Sequence, residues 1–190
     1  MSTDFSLRDP LPGVMEQLSH RWSPRAFTKT SIELEVLARI IDAARFAPSC
    51  FNAQPWRFYT SNDSTFADYL ALLVDANQVW AKDAAVIGFL AAKKNFEHNG
   101  KPNAHSSFDS GSAWMSMVLQ AQHEGLHCHG MAGIHKDAAK TFFALDDNSE
   151  EVIMAFVIGK HGSTDALPEP LRAKEVPSPR KKLDEIWVAK

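Results

Sequence analysis

Pro48-Ser49-Cys50-Phe51-Asn52-Ala53-Gln54-Pro55-Trp56 is the stretch whose reading decides the fold. Two prolines bracket a run of short polar side chains. Pro48 ends the segment before it, because the residue preceding a proline is disfavoured in helical geometry. The loop between the prolines offers backbone groups, the Ser49 hydroxyl and the amides of Asn52 and Gln54. Such a set can present donors and acceptors to the edge of a heterocycle. The same stretch also suits an ordinary helix-to-strand connection, with Trp56 in the core.

Upstream, Leu34, Leu37, Ile41 and Ala44 recur at three- and four-residue spacing. This spacing predicts a helix from about Glu33 to Ala47 with one buried face, capped by Ser31 and favoured by early acids. Downstream, a strand is expected near Trp56–Ser61, followed by a helix capped by Asn62 or Asp63 and running to about Val74. Ala84–Ala92 and Glu151–Gly159 are continuous apolar runs, which predict strands buried on both faces. Phe108–His123 is apolar around most of its circumference and predicts a helix covered on nearly all sides, by a core or by a partner subunit. A short helix is expected over Lys136–Leu145. Leu167–Pro179 holds four prolines, so residues 167–190 are expected to run extended, and residues 1–10 to be flexible.

Composition sets the outer limits. The chain has 190 residues, 45% of them apolar and 23% charged, with a formal charge of −3. These values fit one globular domain over residues 1–190 that needs no disulfide or metal to build its core. Lys and Arg are scattered, so neither nucleic acid nor a membrane surface is an expected partner. The longest apolar run is too short to cross a bilayer. The N-terminus lacks a signal-peptide pattern, and two cysteines read as free thiols, so the expected location is cytoplasmic.

A second constellation is Arg21-Trp22-Ser23-Pro24-Arg25-Ala26-Phe27. Two guanidinium forks with a hydroxyl between them suit a phosphate or a polarised carbonyl. A solvated basic turn accounts equally well for the arginines in isolation. With the Pro48–Trp56 loop and the intervening helix, the pattern resembles the nitroreductase family of flavoenzymes. The resemblance continues through Asp109-x-Gly111-x-Ala113, Gly125-Leu126, Gly130-Met131-Ala132-Gly133 and Arg180–Ile186.

The resemblance implies an α+β fold with a central mixed β-sheet flanked by helices. It implies an intertwined homodimer with FMN at the interface, and electron transfer from NADH or NADPH to nitro compounds, quinones or related small acceptors by a ping-pong scheme. It places Arg21 and Ser23 on the FMN phosphate, with Arg180 returning to it, and Arg25 on the pyrimidine edge of the ring. Pro48, Ser49 and Asn52 would come from the partner subunit, Asn77 would contact the ring, and Met131, Ala132 and Gly133 would pass beside it. Two positions depart from the family: Ala132, where many members carry Glu, and Ser178, where some carry Lys, leaving Lys181 or Lys182 to compensate. No side chain is expected to act as a catalytic nucleophile. A flavin-binding or storage protein of low turnover is the alternative within this reading.

His123-Glu124-Gly125-Leu126-His127 matches the H-E-x-x-H pattern of zinc hydrolases. That chemistry needs both histidines on one face of a continuous helix. Gly125 falls where the Phe108 helix should end, and Leu126–Gly133 reads as extended, so the two rings are expected to point apart.

Overall fold

A computed structural model describes residues 3–189. Five strands form one sheet around β5 (Glu150–His161). β5 pairs with β3 (Val86–Lys93), β4 (His127–Met131) and the two-residue β1 (Phe27–Thr28), while β2 (Trp56–Thr60) pairs with β3. All these pairings are antiparallel, so among the described residues the sheet is antiparallel where a mixed sheet was expected.

The two continuous apolar runs are the central pair, β3 and β5, and side-chain alternation explains them. Ile87, Phe89, Val152, Ala155 and Val157 enter one core, with Trp80, Leu73 and Tyr69. Val86, Leu90, Phe156 and Ile158 enter the other, with Ile40, Trp56 and Met117. A strand with a core on each side needs no polar face. Gly88 pairs with Phe156, and a Cβ on Gly88 would lie 2.2 Å from the Phe156 ring. Glycine here lets the aromatic ring lie flat over the neighbouring strand.

The first core is covered by α3 (Phe66–Ala71), α4 (Asp75–Ala81) and α6 (Lys136–Phe142), and the second by α2 (Leu34–Ala43) and α5 (Ser106–His123). Helix α2 starts after Glu33, not at a Ser31 cap, and passes into a 3-10 turn over Ala44–Phe46 before Pro48. The helix expected from Asn62 to Val74 is shorter. The Asn62 side chain accepts the N–H groups of Ser64 and Thr65, closing a turn ahead of α3, and α4 follows as a separate element that periodicity did not resolve.

In α5 the buried positions are Ser106, Asp109, Ser110, Ala113, Met117, Val118 and Ala121, a single stripe. Phe108 is 77% exposed. One chain therefore covers α5 on fewer sides than its composition predicts.

The C-terminal segment is not extended throughout. A 3-10 turn (Thr164–Ala166) precedes it, and two single-turn helices, α7 (Glu169–Arg172) and α8 (Leu183–Ile186), interrupt it. At the other end, α1 (Glu16–Ser19) precedes Arg21. The Arg8 guanidinium donates to the carbonyls of Ser19, Arg21 (2.6 Å) and Ser178 (3.2 Å), so the N-terminal segment is tied to both later segments. No helix among the described residues is long and apolar enough to cross a membrane.

Candidate functional site

The loop before β1 carries Arg21, Ser23 and Arg25, and β4 runs beside it. His129 of β4 fixes the loop from within. Its Nδ1 lies 2.8 Å from the Pro24 carbonyl. A carbonyl can only accept, so Nδ1 carries the proton and donates. The His129 ring packs on Trp80 at 4.7 Å between centroids, and the Arg25 guanidinium lies 6.0 Å over the same indole. Trp80 is thus a shared platform for the histidine and the arginine. Burial pushes His129 down to about 4, which keeps the ring neutral beside the cations.

The cavity at this loop has a volume of about 240 Å³. Arg8, Arg21, Arg25, Lys174 and Arg180 bring their charges to it, with Ser23 and Ser178. None of these five cations is in an ion pair with an acidic side chain among the described residues. Arg8 is held below the ordinary arginine value by burial and by repulsion from Arg180 and Arg21; Arg21 is lowered in the same direction by burial and by Arg180. Mutual repulsion among cations that have no ion-pair partner is the electrostatic state that an anion relieves.

Arg21, Ser23, Arg25 and Arg180, named from the sequence, therefore meet in one place. Arg21 also donates to the Ser23 hydroxyl at 3.3 Å. Arg8, His129 and Lys174 were not legible. Each lies outside any local motif, and only the chain's return to the loop brings them there.

Asn77 and Gly133 form a second group. The Asn77 amide donates to the Gly133 carbonyl at 2.9 Å. A Cβ on Gly133 would lie 2.7 Å from Asn77 Nδ2 and 2.8 Å from Val74 Cγ2, so this contact requires glycine. Met131 is buried, which leaves its backbone as the part able to face a ligand, whereas Ala132 is exposed. Among the described residues, the N–H groups of Ala132 and Gly133 reach no protein acceptor.

Pro48, Ser49 and Asn52 do not line the cationic cavity. They belong to a tight loop on the other core's side. Phe51, Asn52 and Gln54 all have positive φ, between 45° and 53°, conformations that non-glycine residues adopt at a cost. Ser49 Oγ accepts the Gln54 N–H at 3.0 Å, and the Gln54 amide donates to Asn52 Oδ1 at 3.1 Å. The loop is over-determined by its own side chains and presents Phe51, 81% exposed, outward.

The H-E-x-x-H stretch is broken by geometry. Helix α5 ends at His123, Gly125 has φ +75°, and His127 belongs to β4. The Glu124 carboxylate is held by Arg39 at 2.9 and 3.1 Å. His127 packs edge-on to Trp22 and His161, and burial, with His161 beside it, lowers it to about 4.

The nitroreductase family model matches residues 18–79 and 67–160. A solved structure described as an oxidoreductase containing FMN is 36% identical, with 99% of this chain and 96% of that chain covered and a TM-score of 0.91. A nitroreductase family protein from Clostridium difficile 630 is 25% identical over 91% of this chain and 95% of its own, with a TM-score of 0.69. A protein from Desulfovibrio desulfuricans solved in complex with FMN shares the fold, at 22% identity, 95% and 98% coverage and a TM-score of 0.73. No curated protein shows significant similarity to the sequence. The matched residues run without a break from the Arg21–Arg25 loop into β5, and with them the sheet, helices α2 to α6 and the Pro48–Trp56 loop: the chain belongs to the nitroreductase family.

Proposed function

We propose that this protein is an FMN-dependent oxidoreductase that passes electrons from NADH or NADPH to nitro compounds, quinones or related small acceptors in two half-reactions, and that it acts as a homodimer. The observation that carries this reading is the cavity lined by five cations with no acidic partner among the described residues. A phosphate monoester supplies the missing charge, and guanidinium forks match its oxygens.

In this reading Arg21, Ser23 and Arg180 hold the phosphate, joined by Arg8 and Lys174. Arg25, steadied on Trp80, faces the pyrimidine edge of the ring. When bound, FMN supplies the two-electron redox chemistry, and the protein supplies binding and electrostatics. Arg25 favours the reduced state by placing a fixed cation where negative charge collects. The free N–H groups of Ala132 and Gly133 are donors available to the ring, so the loss of the Glu that many relatives have at Ala132 removes no backbone contact. Asn77 holds this strip in place through Gly133.

Pro48, Ser49 and Asn52 lie away from the cavity within one chain, which supports their delivery to the site by a partner subunit. The exposed apolar side chains of Leu11, Val14, Leu18, Leu183 and Ile186 support the same reading. They line a groove of about 500 Å³ between the two chain ends, a surface that water disfavours.

Titrating the protein with FMN while following flavin fluorescence and absorbance tests the cofactor. About one flavin per chain is expected, and no retained flavin after gel filtration refutes the proposal. Steady NADH or NADPH oxidation in the presence of a quinone separates a turnover enzyme from a flavin carrier. Sedimentation of the FMN-loaded protein tests the dimer; a folded, flavin-bearing monomer is the contrary result.

A further inference from the structure

Glu175 is a buried carboxylate adjoining the cationic cavity, its side chain 1% exposed. Its Oε1 accepts the backbone N–H groups of Arg25 and Ala26, both at 2.7 Å, across some 150 residues of sequence. Its Oε2 and the Nε2 of His161 have no hydrogen-bond partner, and Nε2 lies 3.8 Å from Oε1. A carboxylate taken out of water is costly unless its bonds are good. Here the good bonds are the two to the Arg25–Ala26 backbone. The residues around Glu175 in sequence, Lys174, Val176, Ser178 and Arg180, all line the cavity. Glu175 itself does not.

We propose that Glu175 is the positioning residue of the cationic cradle: its paired hydrogen bonds to the Arg25 and Ala26 backbone clamp the C-terminal segment, with Lys174 and Arg180, across the Arg21–Arg25 loop. The proposal rests on the reading of that cavity as a phosphate site. It assigns Glu175 no contact with the ligand. Two chain segments that share no strand pairing at this point are joined directly by one oxygen atom, beside the bridge that Arg8 makes from the Arg21 carbonyl to the Ser178 carbonyl. The geometry of the cations follows from that junction.

A counter-charge role predicts the opposite sign. If Glu175 merely offset the cations, removing its charge would raise the positive potential and tighten phosphate binding. If it clamps, removing it lets Lys174 and Arg180 drift and loosens binding. Comparing FMN with riboflavin isolates the phosphate, because the two ligands share the ring.

The test is titration of the full chain, wild type and Glu175→Ala, with FMN and with riboflavin. Glu175→Ala is expected to weaken FMN about tenfold or more and to leave riboflavin within about twofold. Glu175→Gln keeps an oxygen for the two N–H groups and is expected to restore most of the FMN affinity. Glu175→Asp keeps the charge but shortens the reach. It is expected to weaken FMN selectively, which provides the decision if Glu175→Ala does not fold. Tighter FMN binding by Glu175→Ala overturns the proposal, as does wild-type affinity in Glu175→Asp or an equal loss of both ligands. A wild type that binds riboflavin as tightly as FMN refutes the phosphate reading itself. A preserved preference for FMN in Glu175→Ala refutes only the clamp.

Discussion

The buried carboxylate of Asp109 accepts the backbone N–H of Cys50 at 3.0 Å. This bond ties the first turns of α5 to the Pro48–Trp56 loop, whose strained backbone has few other anchors outside itself. Asp109→Ala should cost about 1–3 kcal/mol, because the Cys50 N–H loses its acceptor in a part-buried place. Asp109→Asn, which keeps an oxygen, should cost less. Urea unfolding of the three proteins checks this, and equal midpoints would show that the loop holds itself.

Arg25 and Arg21 should separate by observable. Arg25→Ala should lower the flavin midpoint potential by several tens of millivolts, since losing a charge-assisted contact of about 1.5–3 kcal/mol corresponds to about 30 mV per 1.4 kcal/mol. Arg21→Ala and Arg8→Ala should instead weaken FMN binding about tenfold with little change in potential, because the phosphate is remote from the ring. Redox titration with FMN in excess is the measurement. An Arg25→Ala potential equal to wild type would remove Arg25 from the ring.

Gly133→Ala places a methyl group 2.7 Å from the Asn77 amide and 2.8 Å from Val74. Neither neighbour gives way cheaply, since the Asn77 amide is bonded to the Gly133 carbonyl and the Val74 methyl sits on a short β-branched side chain whose backbone N–H is bonded to the same oxygen. A loss of about 1–3 kcal/mol is expected. Asn77→Ala combined with Gly133→Ala should recover part of it, by making room. Thermal melts of the single and double variants decide the matter.

Acid should destabilise the fold through His127 and His129. Both are lowered to about 4 by burial, below the value of about 6.5 that an unfolded chain gives. The unfolded state therefore binds protons more readily. The stabilisation is fully present above about pH 6.5 and is lost as pH falls toward 4, with an upper figure of about 3 kcal/mol per histidine. Unfolding midpoints followed from pH 7.5 to 4.5 should drop over that window. His127→Phe, which keeps an aromatic ring against Trp22, should flatten part of the drop; an unchanged slope would clear His127.

The amino-acid sequence by itself determined the elements whose signal is local. Apolar runs in β3 and β5, period-3.6 spacing in α2, and Gly125 at the end of α5 each reflect a constraint acting within a few residues, and each appears near its predicted place. It also showed Arg21 and Arg25 as neighbouring cations, because two guanidinium groups four residues apart are visible without a fold, and the family resemblance gave them a role. The family resemblance already implied that Arg180 returns to them; only the tertiary structure decided that Arg8 and Lys174 join them, that His129 and Trp80 support them from β4 and α4, and that Glu175 crosses some 150 residues to the Arg25 backbone. The antiparallel sense of the sheet was likewise settled by how the connections return to β5. These are contacts between segments distant in sequence. Their energies depend on burial and on charges brought together by the fold, and neither leaves a periodic trace along the chain.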